Sequence, residues 1–384
     1  MKRIDSIEAK AELLSHGFRM SEEAVALFGS PYLYKRRAYG NMDDEHFIHM
    51  NVPQEVILLP DGLVTGVILK EDSPWMIDWQ GGAYALCRPG YEPLELTFSR
   101  TPSFYGMETR GGARVESVLT FMFNHTLGIF VNTSCYFATP ERHCRYCSIR
   151  CNAARPDDIL RQLDMRTTLE AVETAIKNDG GTVNSIFISG GNFTDFDKNF
   201  MYYATLALAV QRLVDLYRDD IKVTLNVFSP ETTSLLETLG GSGMNLLLST
   251  EVFSEEGFKR FCPGKSAVLP KPKLKATLQK ALEVLGENHV YSIVIHGLES
   301  DESLLSGVRD YADMGVCTIV NELHLDPGTE LVDMNIRPPQ PESMLSVARE
   351  VEGVYARCGF NSAQAYGGRS SFDREQSLRL FTKR

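Results

Sequence analysis

Residues from about 120 onward predict an α/β fold in which helices cover a parallel sheet, and three observations carry that expectation. Short apolar runs alternate with longer stretches six times in about 230 residues. The apolar runs have strand length, and the stretches between them repeat apolar residues at the spacing of one buried helix face. Such alternation is the pattern of a parallel sheet joined by crossover helices. Six units are too few to close an eight-stranded barrel. An open, partial (β/α)6 barrel is therefore expected over residues 119–358, behind an N-terminal α+β domain over 1–118 and ahead of a C-terminal extension over 359–384.

In the N-terminal part a short helix is expected from about Ser6 to Leu14. Val56 to Leu59 and Val64 to Leu69 flank Pro60-Asp61-Gly62 and read as a hairpin around a turn. Further short strands are expected near Trp75 to Trp79 and Ala83 to Cys87, either side of Gly81-Gly82.

The barrel strands are expected at Leu127–Thr133, Ser185–Ser189, Lys222–Phe228, Met244–Ser249, Tyr291–His296 and Cys317–Leu325. Thr167 with Glu170 three residues on has the form of a capping box opening the first helix. Leu206, Val210, Leu213 and Tyr217 are spaced as one buried face of the second. A third helix is expected from about Glu231 to Leu239, and a fourth carries Leu274, Leu278, Ala281 and Leu285. Leu304, Val308 and Tyr311 mark the fifth; Met344, Val347, Val351 and Val354 mark the last. Any active site belongs at the carboxyl ends of these strands, where the following loops gather.

The formal net charge of -11 excludes nucleic acid as a general partner, because phosphate binding needs concentrated Lys and Arg. No apolar run reaches membrane-helix length, and no signal core follows Met1, so a cytoplasmic protein is expected. Of eight cysteines, Cys135, Cys144, Cys147 and Cys151 crowd into residues 135–151, immediately after the first barrel strand. Clustering of that kind points to metal chemistry. Three thiolates on a cube of four irons would leave one iron without a protein ligand, open to substrate, as a catalytic zinc keeps an open position. A closed structural zinc site is the alternative, although this loop has one Cys-x2-Cys where such sites usually have two.

This cysteine loop, with Tyr146 just before Cys147, resembles that of the radical S-adenosylmethionine (radical SAM) superfamily over about residues 125–357. The family's usual spacing is Cys-x3-Cys-x2-Cys; here the first gap holds eight residues. The resemblance implies a [4Fe-4S] cluster on Cys135, Cys144 and Cys147, with Cys151 the rival ligand. It also implies that Ser189, Gly190 and Gly191 meet the amino group of S-adenosylmethionine, as the family's glycine-rich strand end does. Glu251 would accept from the ribose hydroxyls, and Lys265 or Lys259 would pair with the methionine carboxylate. Asn226 and Ser229 would share that rim, and His296-Gly297 resembles the short motif that cradles adenine, with Ile293 and Ser300 departing from it. His324-Leu325-Asp326-Pro327-Gly328-Thr329 looks like the family's Pro-Gly-Thr turn.

The implied activity is reductive cleavage of S-adenosylmethionine to methionine and a 5′-deoxyadenosyl radical, which abstracts hydrogen from a small-molecule substrate. A reductant such as flavodoxin or ferredoxin is implied as partner. No residue is assigned a catalytic role on the substrate. The N-terminal domain, with Ser103-Phe104-Tyr105-Gly106, Trp75 and Trp79, is the candidate cover for the barrel mouth, although core packing accounts for the same residues. The competing class is a non-catalytic iron–sulfur or zinc protein using the same cysteines.

Overall fold

Two sheets organise the chain, and each follows from its own sequence pattern. A computed structural model describes residues 1–35, 53–149, 162–326, 329–362 and 368–382. The first sheet has six strands: β1 (Arg19–Met20), β2 (Val56–Leu58), β3 (Leu63–Thr65), β4 (Met76–Gln80), β5 (Ala83–Cys87) and β6 (Leu94–Phe98), in the order β1-β4-β5-β6-β2-β3. Apart from the β1–β4 pair, its ladders are antiparallel. The expected hairpin is the β2–β3 pair, with Gly62 at φ 68° in the turn, where a side chain would be strained. Helix Ser6–His16 covers this sheet, its N-terminal amides of Ile7 and Glu8 held by the Asp5 carboxylate at 2.9 Å.

The second sheet has seven strands: β7 (Leu119–Met122), β8 (Thr126–Phe130), β9 (Ser185–Ser189), β10 (Lys222–Asn226), β11 (Asn245–Leu247), β12 (Val290–His296) and β13 (Cys317–Glu322). They lie side by side in chain order. The strands β8 to β13 are all parallel, which is the expected (β/α)6 partial barrel. The antiparallel edge strand β7 was not anticipated. Several strands stop short of their expected ends: β8 at Phe130, β10 at Asn226 and β13 at Glu322. Beyond those points the backbone leaves the ladder to build the rim of the site.

Two helix expectations need correction. The first crossover helix, Met165–Asn178, is capped by Asp164 and not by Thr167; the Asp164 carboxylate accepts the Thr167 amide at 2.9 Å. The expected helix at Glu231–Leu239 is a 3-10 helix over Thr233–Leu239. Pro327, Gly328 and the rival ligand Cys151 lie outside the described residues. Among the described residues no helix is long and apolar enough to cross a membrane.

The C-terminal residues pack back onto the first sheet. Phe372 and Phe381 share its core with Met344 and Ala348 of helix Pro341–Cys358 and with Leu13, Leu58 and Trp75. Within that core Lys10 pairs with Glu375 at 2.7 Å, both side chains almost fully buried, and the ammonium lies 5.2 Å from the Phe372 ring centre. Removing one partner of a buried pair leaves the other charge without compensation. Glu375→Ala is accordingly expected to cost about 3–5 kcal/mol in denaturant unfolding, and the double change Lys10→Met with Glu375→Leu to recover most of it.

Candidate active site

The site is built from the cysteine loop upward. Three short contacts fasten the loop's first half to the end of β9. The Gly191 amide donates to Asn132 O at 2.7 Å, the Tyr136 amide to Asn192 O at 2.7 Å, and the Asn192 amide to the Cys135 sulfur at 3.4 Å. A Cβ on Gly191 would stand 1.7 Å from Ser134 O, so only glycine allows this approach. Phe137 anchors the next turn, fully buried against the rings of Phe196 and Phe228. Arg142 stacks over Tyr136, its guanidinium 4.1 Å from the ring centre.

The second half is fastened to a different element. The Arg145 amide donates to Phe261 O at 2.9 Å, and its Nε to Arg260 O at 2.7 Å. Here Gly264 admits the loop, since a Cβ would fall 2.5 Å from Arg142 O. Cys144 and Cys147 form a turn, Cys147 N to Cys144 O at 2.8 Å. Burial first, and then the neighbouring charge of Cys144 and, less, of Cys135, pushes the Cys147 thiol up to about 12. Cys144 and Cys147 thus share one turn of the loop, while Cys135 stands at its start against Asn192. Among the described residues no three His, Cys, Asp or Glu side chains gather closely enough to share a single metal ion. A four-iron cube asks for less convergence, because each thiolate takes a different corner iron. Three thiols, one buried and two half-buried, and an amide aimed at the Cys135 sulfur suit such a cluster.

Cys147 and Tyr146 open onto a cavity of about 360 Å³ at the carboxyl ends of the strands, within the range of small-molecule sites. Its apolar wall includes Phe187, Val227, Leu248, Ile293 and Ile295. Its polar groups include Ser189, Gly190, Asn226, Ser229, Glu251 and Lys265, all singled out from the sequence. Every described lining residue comes from the 146–324 stretch, whereas Trp75 and Phe104 are core residues.

Two strand ends carry the charged groups. Glu251 sits at φ 67°, with its amide on Ile293 O at 2.9 Å and its carbonyl accepting Ile295 N at 2.8 Å. Lys271 holds that kink from behind, donating to Thr250 O at 2.8 Å and to Val252 O. Burial draws the Lys271 ammonium down to about 8. The Glu251 carboxylate, buried, is in a hydrogen-bonded ion pair with the half-buried Lys265. Burial opposes the Lys265 charge, but Glu251 and then Cys144 outweigh it and hold its pKa above the usual lysine range. Lys259, the alternative to Lys265, lies on the surface in a pair with Glu255.

Other expected residues fall elsewhere. Gly191 serves the cysteine loop and does not line the cavity. Ser229 turns its hydroxyl to Thr277 Oγ1 at 3.2 Å. His296 does not line the cavity either. Ile293 and Ile295 take the inner face of β12, so strand alternation sends His296 to the helix side. There it meets Glu322 Oε2 at 2.7 Å, Asp301 Oδ1 at 3.0 Å and Ser343 Oγ at 3.2 Å. Gly297 is likewise packed on that side, against Pro339. The sequence reading missed Asn321, whose buried side-chain oxygen has no hydrogen-bond partner among the described residues and which lines the cavity from β13. A polar residue alternating with the apolar Cys317 and Ile319 on one strand face was the available signal. His324, half-buried, also lines the cavity.

No protein-family model matches the chain. Over 261 residues it is 23% identical to bacteriochlorophyllide c C-7(1)-hydroxylase of Chlorobaculum limnaeum, covering 64% of this chain and 63% of that protein. Similar solved structures include methylornithine synthase (TM-score 0.44, 15% identity, 73% of this chain and 90% of that one). A radical SAM methyltransferase from Sphaerobacter thermophilus gives TM-score 0.41 and 13% identity, over 82% of this chain and 77% of that one. HydG, a maturase of the [FeFe]-hydrogenase, gives TM-score 0.41 and 14% identity, over 62% and 51%. The chain is similar to the Chlorobaculum hydroxylase and spans 63% of that protein's length.

Two expectations test the geometry. Gly191→Ala, by driving a methyl into Ser134 O, is expected to lower stability by about 3 kcal/mol, the upper end for overpacking, in thermal or denaturant unfolding. For His296, burial works against the charge, but Glu322 and then Asp301 prevail and raise its pKa above 6.5. The stabilisation is thus complete below the unfolded value and lost as pH climbs through the raised folded value. Unfolding measured across that range should show this decline in the parent chain, and His296→Gln should flatten it.

Proposed function

We propose that the chain holds a [4Fe-4S] cluster on Cys135, Cys144 and Cys147 and acts with S-adenosylmethionine on a small-molecule substrate. The observation that supports this best is that one short loop carries all three thiols and opens, through Cys147, onto the cavity at the strand ends. When bound, the cluster supplies the electron that breaks a carbon–sulfur bond of S-adenosylmethionine, giving methionine and a 5′-deoxyadenosyl radical that takes hydrogen from substrate.

The chain's own residues account for the rest. The Asn192 amide and its side-chain Nδ2, 3.4 and 3.7 Å from the Cys135 sulfur, stabilise negative charge there. Lys265, positioned by Glu251, offers a fixed cation to a carboxylate, and Glu251 offers an acceptor to ribose hydroxyls. Ser189 and Asn226, linked at 3.2 Å, give the floor neutral donors. The apolar wall excludes water from a reactive radical. The curated relative is a hydroxylase, a reaction that replaces a C–H bond, and removal of that hydrogen is the step this site is built to start. The electron comes from a small redox protein such as flavodoxin or ferredoxin. Residues 1–118 form an accessory domain, 119–358 the partial barrel and 359–384 an extension. We place the protein in the cytoplasm, where thiols stay reduced.

Anaerobic reconstitution with iron and sulfide, dithionite reduction and chromatography of the products test the proposal. About four irons per chain and formation of 5′-deoxyadenosine are expected. Cys135→Ala, Cys144→Ala and Cys147→Ala should each reduce that product to the level of the enzyme-free control. A chain that takes up iron but yields no 5′-deoxyadenosine, or a Cys135→Ala variant that keeps full activity, contradicts the assignment.

A further inference from the structure

The cysteine loop is held from a third side as well. It follows β8, yet its second half is tied to the segment after β13, the strand at the far edge of the sheet. Glu330 opens helix Glu330–Asp333 in that segment. Its Oε1 lies 3.4 Å from His143 Nδ1, and its Oε2 accepts from Arg145 Nη1 at 3.2 Å. His143 and Arg145 are the residues on either side of Cys144. We propose that Glu330 is a positioning residue, one carboxylate that straddles Cys144 and holds its sulfur in place for the cluster. The inference rests on the cluster reading given above.

Neighbouring contacts fix the carboxylate and its partners. Leu331, the next residue, is fully buried and shares an apolar cluster with Cys144, which keeps the helix against the loop. Thr329 Oγ1 donates to Asp326 O at 2.8 Å and closes the turn that leads into the helix. On the loop side Arg145 is committed through Nε to Arg260 O at 2.7 Å. Its planar guanidinium therefore presents Nη1 to Glu330 in a set direction. Asp326 adds a second tie, accepting from Ser148 Oγ at 3.2 Å, one residue past Cys147. The segment after β13 thus grips residues that flank two of the expected ligands.

Magnitude and place decide what the clasp does. The Arg145 and Glu330 side chains are 36% and 33% exposed, so their ion pair adds little to overall stability. Its effect is local: holding both neighbours of Cys144 removes backbone freedom from the residue between them. A ligand held in place before the cluster arrives has less freedom to swing away from it afterwards. Among the described residues no ladder joins β8 to β13. Glu330 supplies a link across that open mouth.

The test uses the full chain, reconstituted anaerobically, with two readouts. One is the rate at which a ferrous chelator strips iron from the protein; the other is thermal unfolding of the iron-free chain. Glu330→Ala is expected to lose iron about fivefold faster than the parent, the ratio one such ion pair can supply. Its iron-free unfolding midpoint should stay within about 2 °C of the parent's. Glu330→Gln, which keeps an acceptor but not the charge, is expected to fall between the two rates. Glu255→Ala, which breaks an exposed pair with Lys259, is expected to release iron at the parent rate. If the alanine variant takes up no iron, the glutamine variant decides alone: faster release supports the inference and the parent rate overturns it. Release at the parent rate from iron-loaded Glu330→Ala overturns it too. So does equal acceleration in Glu255→Ala, or a midpoint lowered well beyond that margin, since either means general loosening of the fold. A parent chain that binds no iron refutes the cluster reading and this inference with it, whereas unchanged release from iron-loaded proteins leaves that reading standing.

Discussion

The site depends on two places where backbone meets backbone with no room for a side chain. At Gly191 the end of β9 lies against Ser134, and at Gly264 the start of helix Pro263–Val268 lies against Arg142. Between these points the cysteine loop runs through successive turns, among them Cys135–Ala138 and Cys144–Cys147. A Cβ at either point would force the loop off the rim. Once it is held there, the positions of Cys135, Cys144 and Cys147 follow, and the cavity beneath them takes its depth from the loop as its roof.

The charged groups obey the same economy. Glu251 occupies a left-handed conformation at φ 67°, and its neighbouring carbonyls are tied down by Lys271. That kink turns the Glu251 carboxylate inward, where it meets Lys265 from the helix that carries Gly264. One short helix, Pro263–Val268, therefore supplies both the glycine under Arg142 and the cation of the cavity.

Much of this was legible in the sequence, and the residues that were not have physical reasons. The six parallel strands were visible because buried strands read as apolar runs, and β9 was placed to the residue. Strand ends were overestimated because apolar residues such as Val131 continue past the ladder into the buried rim. The capping error at Thr167 arose because two helix-start signals, Asp164 and Thr167, stand three residues apart. Cys147, Glu251 and Lys265, which line the cavity, were singled out by residue type. What spacing along the chain does not reveal is which face a strand residue takes. His296 and Asn321 show this: His296 has the chemistry of a site residue yet turns outward, whereas Asn321 sits unremarked within a strand and turns inward.

The central claim is that three thiolates of this chain leave one iron of a cluster free to bind S-adenosylmethionine. EPR spectroscopy of the reduced, reconstituted protein, recorded before and after addition of S-adenosylmethionine, tests it most directly. A reduced four-iron signal whose shape changes on addition is the result this account requires. A signal that stays the same, or none at all in iron-loaded protein, would contradict it.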